Sequence, residues 1–459
     1  MYIQMTNVKT QEKEDRRIYI MSKERPTKAV LSMGLPLIAG MMVMSVYNLV
    51  DTFFISLLHD DYQLAAVNLA YPVMMISIAL SNMIGTGAAS LIARSLGAGD
   101  KEKAEHTLTV GIGLMVLLSL MLSALGLFFL NPIVTLLGAK ENTFTYTMQY
   151  VAVILGGSLF TMGSYTMGQL LRSEGSAKQS MAGMLSGTVA NIVLDPVFIF
   201  GFHMGIRGAA IATILGNAIG TLLPCLYYVR KKTLLMPAIR YLKPTGEIVK
   251  EIFFVGVPAM LETGLTSMAY VVNNNLAVGY GELTVTAMGI SQKIISFGSY
   301  IYQGFAAGNQ PLMGYNYGAK NYRRMLDILK AGVLVVSSIE LGMMVIFGVG
   351  AEFFIGIFSQ TEEVVRIGSQ VMRANMFILP FVGSVSMTRT TFQAMGKPLY
   401  SFGITVMRQL ILYIPLLLIL NHLFAFRGMI YAQPITECIM MIVSVGLLSG
   451  TLIRLNRAA

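Results

Sequence analysis

The chain has 459 residues, of which 55% are hydrophobic and only 12% are charged, and its mean hydropathy is +0.66. A soluble domain has about 25% charged residues, so the composition excludes a water-soluble fold and indicates a protein that crosses a membrane many times. The net charge of +10 does not indicate nucleic-acid binding, because the basic residues lie in the connections between apolar runs.

Twelve apolar runs are long enough to form membrane-spanning helices, each of which needs about 20 residues. We number them spans 1 to 12, and they cover residues 30–57, 63–93, 108–130, 144–171, 178–202, 207–230, 249–279, 285–314, 331–351, 364–392, 399–423 and 428–453. The sequence therefore predicts an all-α membrane protein with twelve transmembrane helices. Residues 1–28 are polar and lack the apolar stretch of a signal peptide, which predicts a cytosolic tail.

Connections rich in Lys and Arg alternate along the chain with connections that are neutral or acidic. The basic ones include the tail and the segments near 94–103, 172–178, 230–250 and 320–324; the others are HDDYQ at 59–63, GYGEL at 279–283 and SQTEE at 359–363. The positive-inside rule then places both termini in the cytosol, which requires an even number of spans.

Four short motifs of the first half recur in the same order in the second half. MGLP at 33–36 returns as VGVP at 255–258, LGAGDKEKA at 96–104 as YGAKNYRRM at 317–325, RSEGSAKQS at 172–180 as QAMGKPLYS at 393–401, and IRGAAIA at 206–212 as FRGMIYA at 426–432. The spacings of 222, 221, 221 and 220 residues predict an internal repeat. Six spans in each half make the repeats parallel, so two six-helix lobes are related by a pseudo-twofold axis along the membrane normal.

The repeat divides the chain into an N-terminal lobe at 29–230 with spans 1–6 and a C-terminal lobe at 249–459 with spans 7–12. Between them, residues 231–248 are basic and contain two prolines, which predicts a cytosolic linker. Two such lobes around a central cleft are the architecture of an alternating-access carrier.

Acidic residues inside the first lobe are the strongest functional signal in the sequence. Span 1 carries Tyr47 and Asp51, and span 5 carries Asn191 and Asp195; each pair is four residues apart and shares a helix face. A charged side chain at the bilayer centre costs about 3 kcal/mol even on lenient scales. A buried carboxyl prefers its protonated form, and two close together bind a cation readily. We predict that Asp51 and Asp195 face one another and bind H⁺ or Na⁺; the alternative is that they only hold helices together.

Several other polar or helix-breaking residues complete the predicted site. Thr213 of span 6 is a further coupling residue, and Pro36 and Pro196 are hinges, because proline interrupts the helical hydrogen-bond ladder. Candidates for the substrate cleft are Asn48, Asn217, Glu262, Asn273 and Gln303. Glu262 lies one turn after Pro258, and its alternative role is an ion pair with Lys293 or Arg408.

Motifs for other chemistry are absent from the sequence. It contains no GxxxxGK[ST] phosphate loop and no HExxH, and its four histidines are dispersed. We therefore expect no cofactor, no enzymatic activity and no metal site beyond Na⁺ at Asp51 and Asp195.

The chain resembles the multidrug and toxic compound extrusion (MATE) family, in particular its MepA-like bacterial branch, from about residue 28 to 455. The likeness is carried by GLPLIAGMMVMSVYNLVDTFFIS in span 1, LGAGDKEKAEH after span 2, LLRSEGSAKQSM after span 4, NIVLDPVFIFGF in span 5 and RGAAIATILGN in span 6. The resemblance implies cation- or proton-responsive residues at Pro36, Tyr47, Asp51, Asn191, Asp195 and Thr213. Some branches use an acidic residue on span 7, but Glu262 lies one turn nearer the proline than in that pattern.

These observations predict a secondary active multidrug efflux antiporter in the bacterial plasma membrane. It would act as a monomer among membrane lipids and export organic, mostly cationic compounds in exchange for H⁺ or Na⁺ by alternating access. Two alternatives are a flippase for lipid-linked precursors, which would need a basic cleft, and an intramembrane enzyme that uses the two aspartates.

Overall fold

Helices make up nearly all of the chain. The computed structural model describes residues 16–58, 60–243 and 245–458, and this part contains no β-strand. Residues 1–15 of the predicted tail lie outside it, and residues 16–22 form a short helix.

The first half of the chain contains six spans. Spans 1, 2 and 3 are the helices Pro26–Ser56, Asp61–Gly97 and Lys101–Phe128. A short helix, Leu130–Leu136, leads to span 4, which consists of Glu141–Gly156 and Ser158–Ser173 with a bend of 50° between them. Span 5 is Ala177–Pro196 followed by the π-helix Val197–Gly201, and span 6 is Gly205–Val229.

The second half repeats this order. Spans 7, 8 and 9 are Gly246–Val278, Glu282–Gly318 and Tyr322–Val349; the short helix Ala351–Gly356 leads to span 10, Glu362–Ala394. Span 11 begins with Pro398–Val406 and the π-helix Met407–Tyr413. The following helix, Ile414–Ala458, is broken at Ala425, where φ is 50° and ψ is −138°, and this break separates span 11 from span 12.

The structure contains twelve spans when the bent pair of helices in span 4 is counted as one span and the helix broken at Ala425 is counted as two. Nine helices of the described chain are long and apolar enough to cross a membrane, and the bent pair of span 4 makes ten. One of the nine, Pro398–Thr451, is 54 residues long and contains the break at Ala425. Span 8 is 37 residues long but too polar to meet the same criterion. The twelve predicted transmembrane helices are confirmed.

The turns after spans 2 and 8 show the repeat in the backbone itself. Asp100 caps the start of span 3 by accepting from Lys103 N at 2.8 Å, and Asn321 caps span 9 by accepting from Arg324 N at 3.1 Å. One residue before each cap, Gly99 and Lys320 adopt positive φ angles of 79° and 56°. These paired positions are 221 residues apart, so the two halves enter spans 3 and 9 through the same turn.

Packing divides the chain into two compact units. Unit 1 contains Ala39–Met260 together with the chain up to Ile20, and unit 2 contains Met21–Ile38 together with Leu261–Ala459. Spans 1 and 7 are thus each divided between the units. The lobe limits inferred from the repeat, 29–230 and 249–459, stay a prediction.

The linker after span 6 is folded against unit 1. The Oε2 atom of Glu174, at the end of span 4, accepts hydrogen bonds from the backbone N–H groups of Leu234 at 3.0 Å and Leu235 at 2.9 Å. Farther along, Ala238 N donates to Thr109 Oγ1 at 3.2 Å, and His106 stacks on Tyr241. Side chains of spans 3 and 4 therefore hold the backbone of the linker.

Candidate ion-coupling site

Glycines bring spans 5 and 6 of unit 1 into backbone contact. Gly183 and Gly187 on span 5 and Gly216 and Gly220 on span 6 each have four-residue spacing, the pattern that lets membrane helices approach closely. A Cβ atom on Gly216 would lie 2.7 Å from the carbonyl oxygen of Gly187 and 2.8 Å from the Cβ of Asn191. This approach positions the polar residues one turn farther along both helices.

Asn191 and Thr213 meet across the contact between spans 5 and 6. The Nδ2 atom of Asn191 donates to Thr213 Oγ1 at 3.5 Å, and Thr213 Oγ1 donates to Ala209 O at 3.0 Å. The hydroxyl of Tyr47, from span 1, also hydrogen-bonds Thr213. Three predicted residues from three spans thus share one buried hydroxyl.

The carboxyl groups of Asp51 and Asp195 lie side by side. They are within hydrogen-bonding distance of one another, and Asp195 is completely buried. Neither oxygen of Asp195, nor Oδ1 of Asp51, has a donor in the described part of the chain, and the same holds for Oδ1 of Asn191. Since two ionised carboxylates offer only acceptors, this contact is favourable only when a proton or another cation lies between them.

The sequence analysis missed Tyr150, which lies in the same cluster. It is buried on span 4, and the charges of both Asp51 and Asp195 act on its hydroxyl. Its neighbours along span 4 include Gln149 and, one turn earlier, Tyr146, but no acid within one turn, so only attention to tyrosines inside the spans would have indicated it. Tyr150 adds an oxygen from a fourth span to the site.

The two predicted hinges occupy different settings. Pro196 follows Asp195 directly, and the helix changes there from α to the π-helix Val197–Gly201. Single π-turns often occur at functional sites because they displace the helical hydrogen-bond ladder. Pro36 is inside the helix of span 1 but belongs to unit 2, whereas Asp51 on the same helix belongs to unit 1. The hinge roles stay predictions.

The predicted cleft residues are spread over both units. Asn217 donates from Nδ2 to Thr161 Oγ1 of span 4 at 3.3 Å, one turn from Thr213. In unit 2, Asn273 is half-buried and Gln303 is exposed. The side chain of Asn48 lies outside the described part of the structure. None of these placements tests a role in substrate binding.

Glu262 has an ion-pair partner that the sequence analysis did not propose. It forms an ion pair with Arg389 of span 10, rather than with Lys293 or Arg408, and accepts from Gln393 Nε2 at 3.3 Å. Arg408 instead pairs with the buried Glu437 of span 12, donating from Nε at 2.7 Å. Glu262 and Glu437 therefore have cationic partners, unlike Asp51 and Asp195 in unit 1.

Within the described residues, no group of three or more His, Cys, Asp or Glu side chains is placed to hold a metal ion. Five oxygen-bearing side chains do converge in unit 1 beside Asp195: Tyr47, Asp51, Tyr150, Asn191 and Thr213. Such a set of oxygens suits a hard monovalent cation or a shared proton.

The fold and this site define a polytopic membrane protein made of two repeats, one of which holds a buried pair of carboxyl groups. The chain belongs to the MatE family, whose sequence pattern matches residues 36–197 and again residues 258–419. The two matches start 222 residues apart, which confirms the internal repeat and the predicted family.

Known relatives cover nearly the whole chain. A "Multidrug export protein MepA" of Staphylococcus saprophyticus is 30% identical over 428 residues, 93% of this chain and 94% of its own. A crystal structure of "MATE in complex with MaL6" has a TM-score of 0.91 at 28% identity and covers 96% of this chain and 99% of its own. A structure described as the outward-facing conformation of a multidrug resistance MATE family transporter of the MOP superfamily also has a TM-score of 0.91, at 27% identity, covering 95% and 98%.

Proposed function

We propose that the protein is a secondary active antiporter that exports organic, mostly cationic compounds in exchange for H⁺ or Na⁺. The relatives named as multidrug export proteins support the export of drugs. The single observation that carries the coupling is the contact between Asp51 and Asp195 in a buried site. No ion pair in the described chain involves either residue, so the site has no built-in cation.

The coupling cation would bind between the two carboxyl groups. With a cation bound, spans 1 and 5 are held together; without it, two like charges in a low-dielectric site repel one another. Pro36 and Pro196 interrupt the two helices that carry the acids, so a change of occupancy can bend them. In alternating access, the compound enters from the cytosol, and arrival of H⁺ or Na⁺ from outside releases it.

The setting of this transport would be the bacterial plasma membrane, with both termini in the cytosol and the monomer as the functional unit. Large apolar side chains such as Phe128, Leu334 and Ile442 are exposed on the spans, a surface suited to lipid tails. The flippase alternative needs a basic site for a pyrophosphate, and the paired acids of unit 1 do not favour it. We propose no enzymatic activity and no cofactor.

Replacing Asp51 by Asn removes one acid while preserving its shape. In proteoliposomes with an imposed proton or sodium gradient, we expect Asp51→Asn to lower gradient-driven export of ethidium, an aromatic cation, by roughly tenfold or more. Glu363→Gln is the matched control, because Glu363 is exposed in the first turn of span 10. Full gradient-driven export by purified, folded Asp51→Asn would refute the proposed coupling site.

A further inference from the structure

Glu340 is a buried acid that does not belong to the coupling site proposed in unit 1. It lies in span 9 and is completely buried, and neither of its carboxyl oxygens has a hydrogen-bond partner in the described chain. None of the ion pairs among the described residues includes it. A carboxylate here would be an isolated buried charge, which is far more costly than a neutral carboxyl group.

The carboxyl group is enclosed by spans 9 and 10. A Cβ atom on Gly383 of span 10 would lie 2.4 Å from Glu340 Oε2 and 2.6 Å from Val336 Cγ1, one turn earlier on span 9. Only glycine at position 383 leaves room for the carboxyl group between the two helices. Ionisation of Glu340 in this closed packing would require the helices to separate and admit water.

The first repeat shows that this helix contact does not need an acid. Motifs on both sides of span 9 repeat at a spacing of 221, so the counterpart of Glu340 is Ser119 of span 3. Ser119 donates to Val116 O at 2.9 Å, and its own carbonyl accepts from Ser158 of span 4 at 2.8 Å. Since the same contact is satisfied by hydroxyl groups in unit 1, packing alone does not explain the carboxyl group in unit 2.

A tyrosine of unit 2 lies within electrostatic range of Glu340. The charges of Glu340, Arg408 and Glu437 all act on the hydroxyl of Tyr302 in span 8, which also hydrogen-bonds Ser299. Among these charged groups, Glu340 is the acid without a cationic partner in the described chain, since Glu437 pairs with Arg408.

We propose that Glu340 is a second proton-binding site, in the second repeat, which releases and regains its proton when spans 9 and 10 separate and close during transport. The ligand is a proton rather than a metal ion, because a hard cation needs several oxygen ligands and no group of three or more His, Cys, Asp or Glu side chains in the described chain is placed to hold one. This inference rests on the proposed antiport and adds a second proton-binding residue to it.

The test is the number of protons exchanged per ethidium molecule in proteoliposomes, measured from the proton gradient that just halts export. We expect Glu340→Gln to continue exporting ethidium with one proton fewer per molecule than the unsubstituted protein, and the exposed control Glu363→Gln to keep the original number. An unchanged number in Glu340→Gln would overturn the proposal.

Glu340→Met provides a second measurement that does not depend on the glutamine variant folding. Met has a similar volume and no polar atom to satisfy, so we expect unchanged or higher thermal stability with the same loss of one proton. Strong destabilisation would show that Glu340 has a partner, and it too would overturn the proposal. If the coupling site proposed in unit 1 is wrong, Asp51→Asn will export ethidium fully, whatever the result for the Glu340 variants. The two proposals can therefore fail separately.

Discussion

At the scale of single residues, the acids inside the spans are of two kinds, those with a basic partner and those without one. Asp51 and Asp195 in unit 1 have each other but no basic partner, whereas Glu262 and Glu437 in unit 2 have Arg389 and Arg408. A paired charge is held in place by its partner, while an unpaired carboxyl is available to a mobile cation. Cation or proton binding is therefore proposed at the acids without a basic partner, which are Asp51 and Asp195 in unit 1 and Glu340 in unit 2.

The ion pair of Arg408 with Glu437 should be costly to break but not to replace. Arg408→Met leaves the completely buried Glu437 with only Gln433, whose Nε2 donates to it at 2.6 Å. We expect the free energy of unfolding to fall by about 3–5 kcal/mol, because an uncompensated charge remains. Thermal unfolding in detergent measures the effect.

The double variant Arg408→Met with Glu437→Met is the control for this prediction. It removes both charges and should recover most of the lost stability. A double variant as unstable as Arg408→Met would show that the pair is needed for packing rather than for charge balance.

At the scale of helices, the site in unit 1 depends on how closely spans 5 and 6 approach. Asn191 reaches Thr213 only because glycines face one another one turn away. The pattern of small residues indicates such an approach from the sequence, since both helices carry glycines four residues apart. Which helices meet through them cannot be read from spacing, because that depends on the packing of all the spans.

Gly216→Ala tests this helix contact. The added Cβ would lie 2.7 Å from a backbone oxygen that cannot rotate away, so we expect a loss of about 1–3 kcal/mol and weaker gradient-driven export. The matched control is Gly264→Ala in span 7, where a Cβ meets open space and should be tolerated. Equal stability and export in the two variants would contradict the assigned role of Gly216.

The linker should respond to pH through Glu174. Burial, opposed by the nearby Arg17 and by hydrogen bonds from Leu235, Ser176 and Leu234, raises the pKa of Glu174 from 4.5 to about 7. The hydroxyl of Tyr228 also faces this carboxyl group. Because the pKa is higher when the linker is docked, protonation favours docking: the gain is complete below pH 4.5 and is lost as the pH rises to about 7.

Hydrogen exchange at the amides of Leu234 and Leu235, corrected for the intrinsic rate, measures this docking. We expect protection to increase on acidification through pH 7 in the unsubstituted protein. Glu174→Gln keeps an acceptor oxygen without a charge, so its protection should be independent of pH, while Glu174→Ala should lose protection at every pH. If protection in the unsubstituted protein does not change with pH, titration of Glu174 does not control the docking of the linker.

At the scale of the whole molecule, the repeat unites features that are far apart in the chain. A side-chain cap and a left-handed residue occur at equivalent turn positions in both halves, and spans 5 and 11 each contain a π-helix. The chemistry diverges on this common frame: Asp51 corresponds to Asn273, and Ser119 corresponds to Glu340. We infer that the duplicated halves keep the helix arrangement and differ in which buried groups can bind a cation.

The membrane orientation is a property of the whole chain and can be measured directly. After Cys225 and Cys438 are replaced by Ser, a single Cys is introduced by Gln360→Cys or, as its opposite-side control, by Lys101→Cys, both at exposed positions. The distribution of basic connections predicts that an impermeant maleimide labels Gln360→Cys in intact cells and Lys101→Cys only after permeabilisation. The reverse labelling would place the termini outside.

The sequence by itself determined the class of protein, the number of spans and the repeat, and it indicated five of the six polar residues that cluster in unit 1, because helix length, charge distribution and four-residue spacing are local along the chain. Only the tertiary structure decided which side chains meet: that Asp195 contacts Asp51, that Tyr150 joins them, that Glu262 pairs with Arg389, and that Glu340 faces a glycine without a partner. These contacts depend on how helices distant in sequence pack against one another, and no local pattern specifies that arrangement.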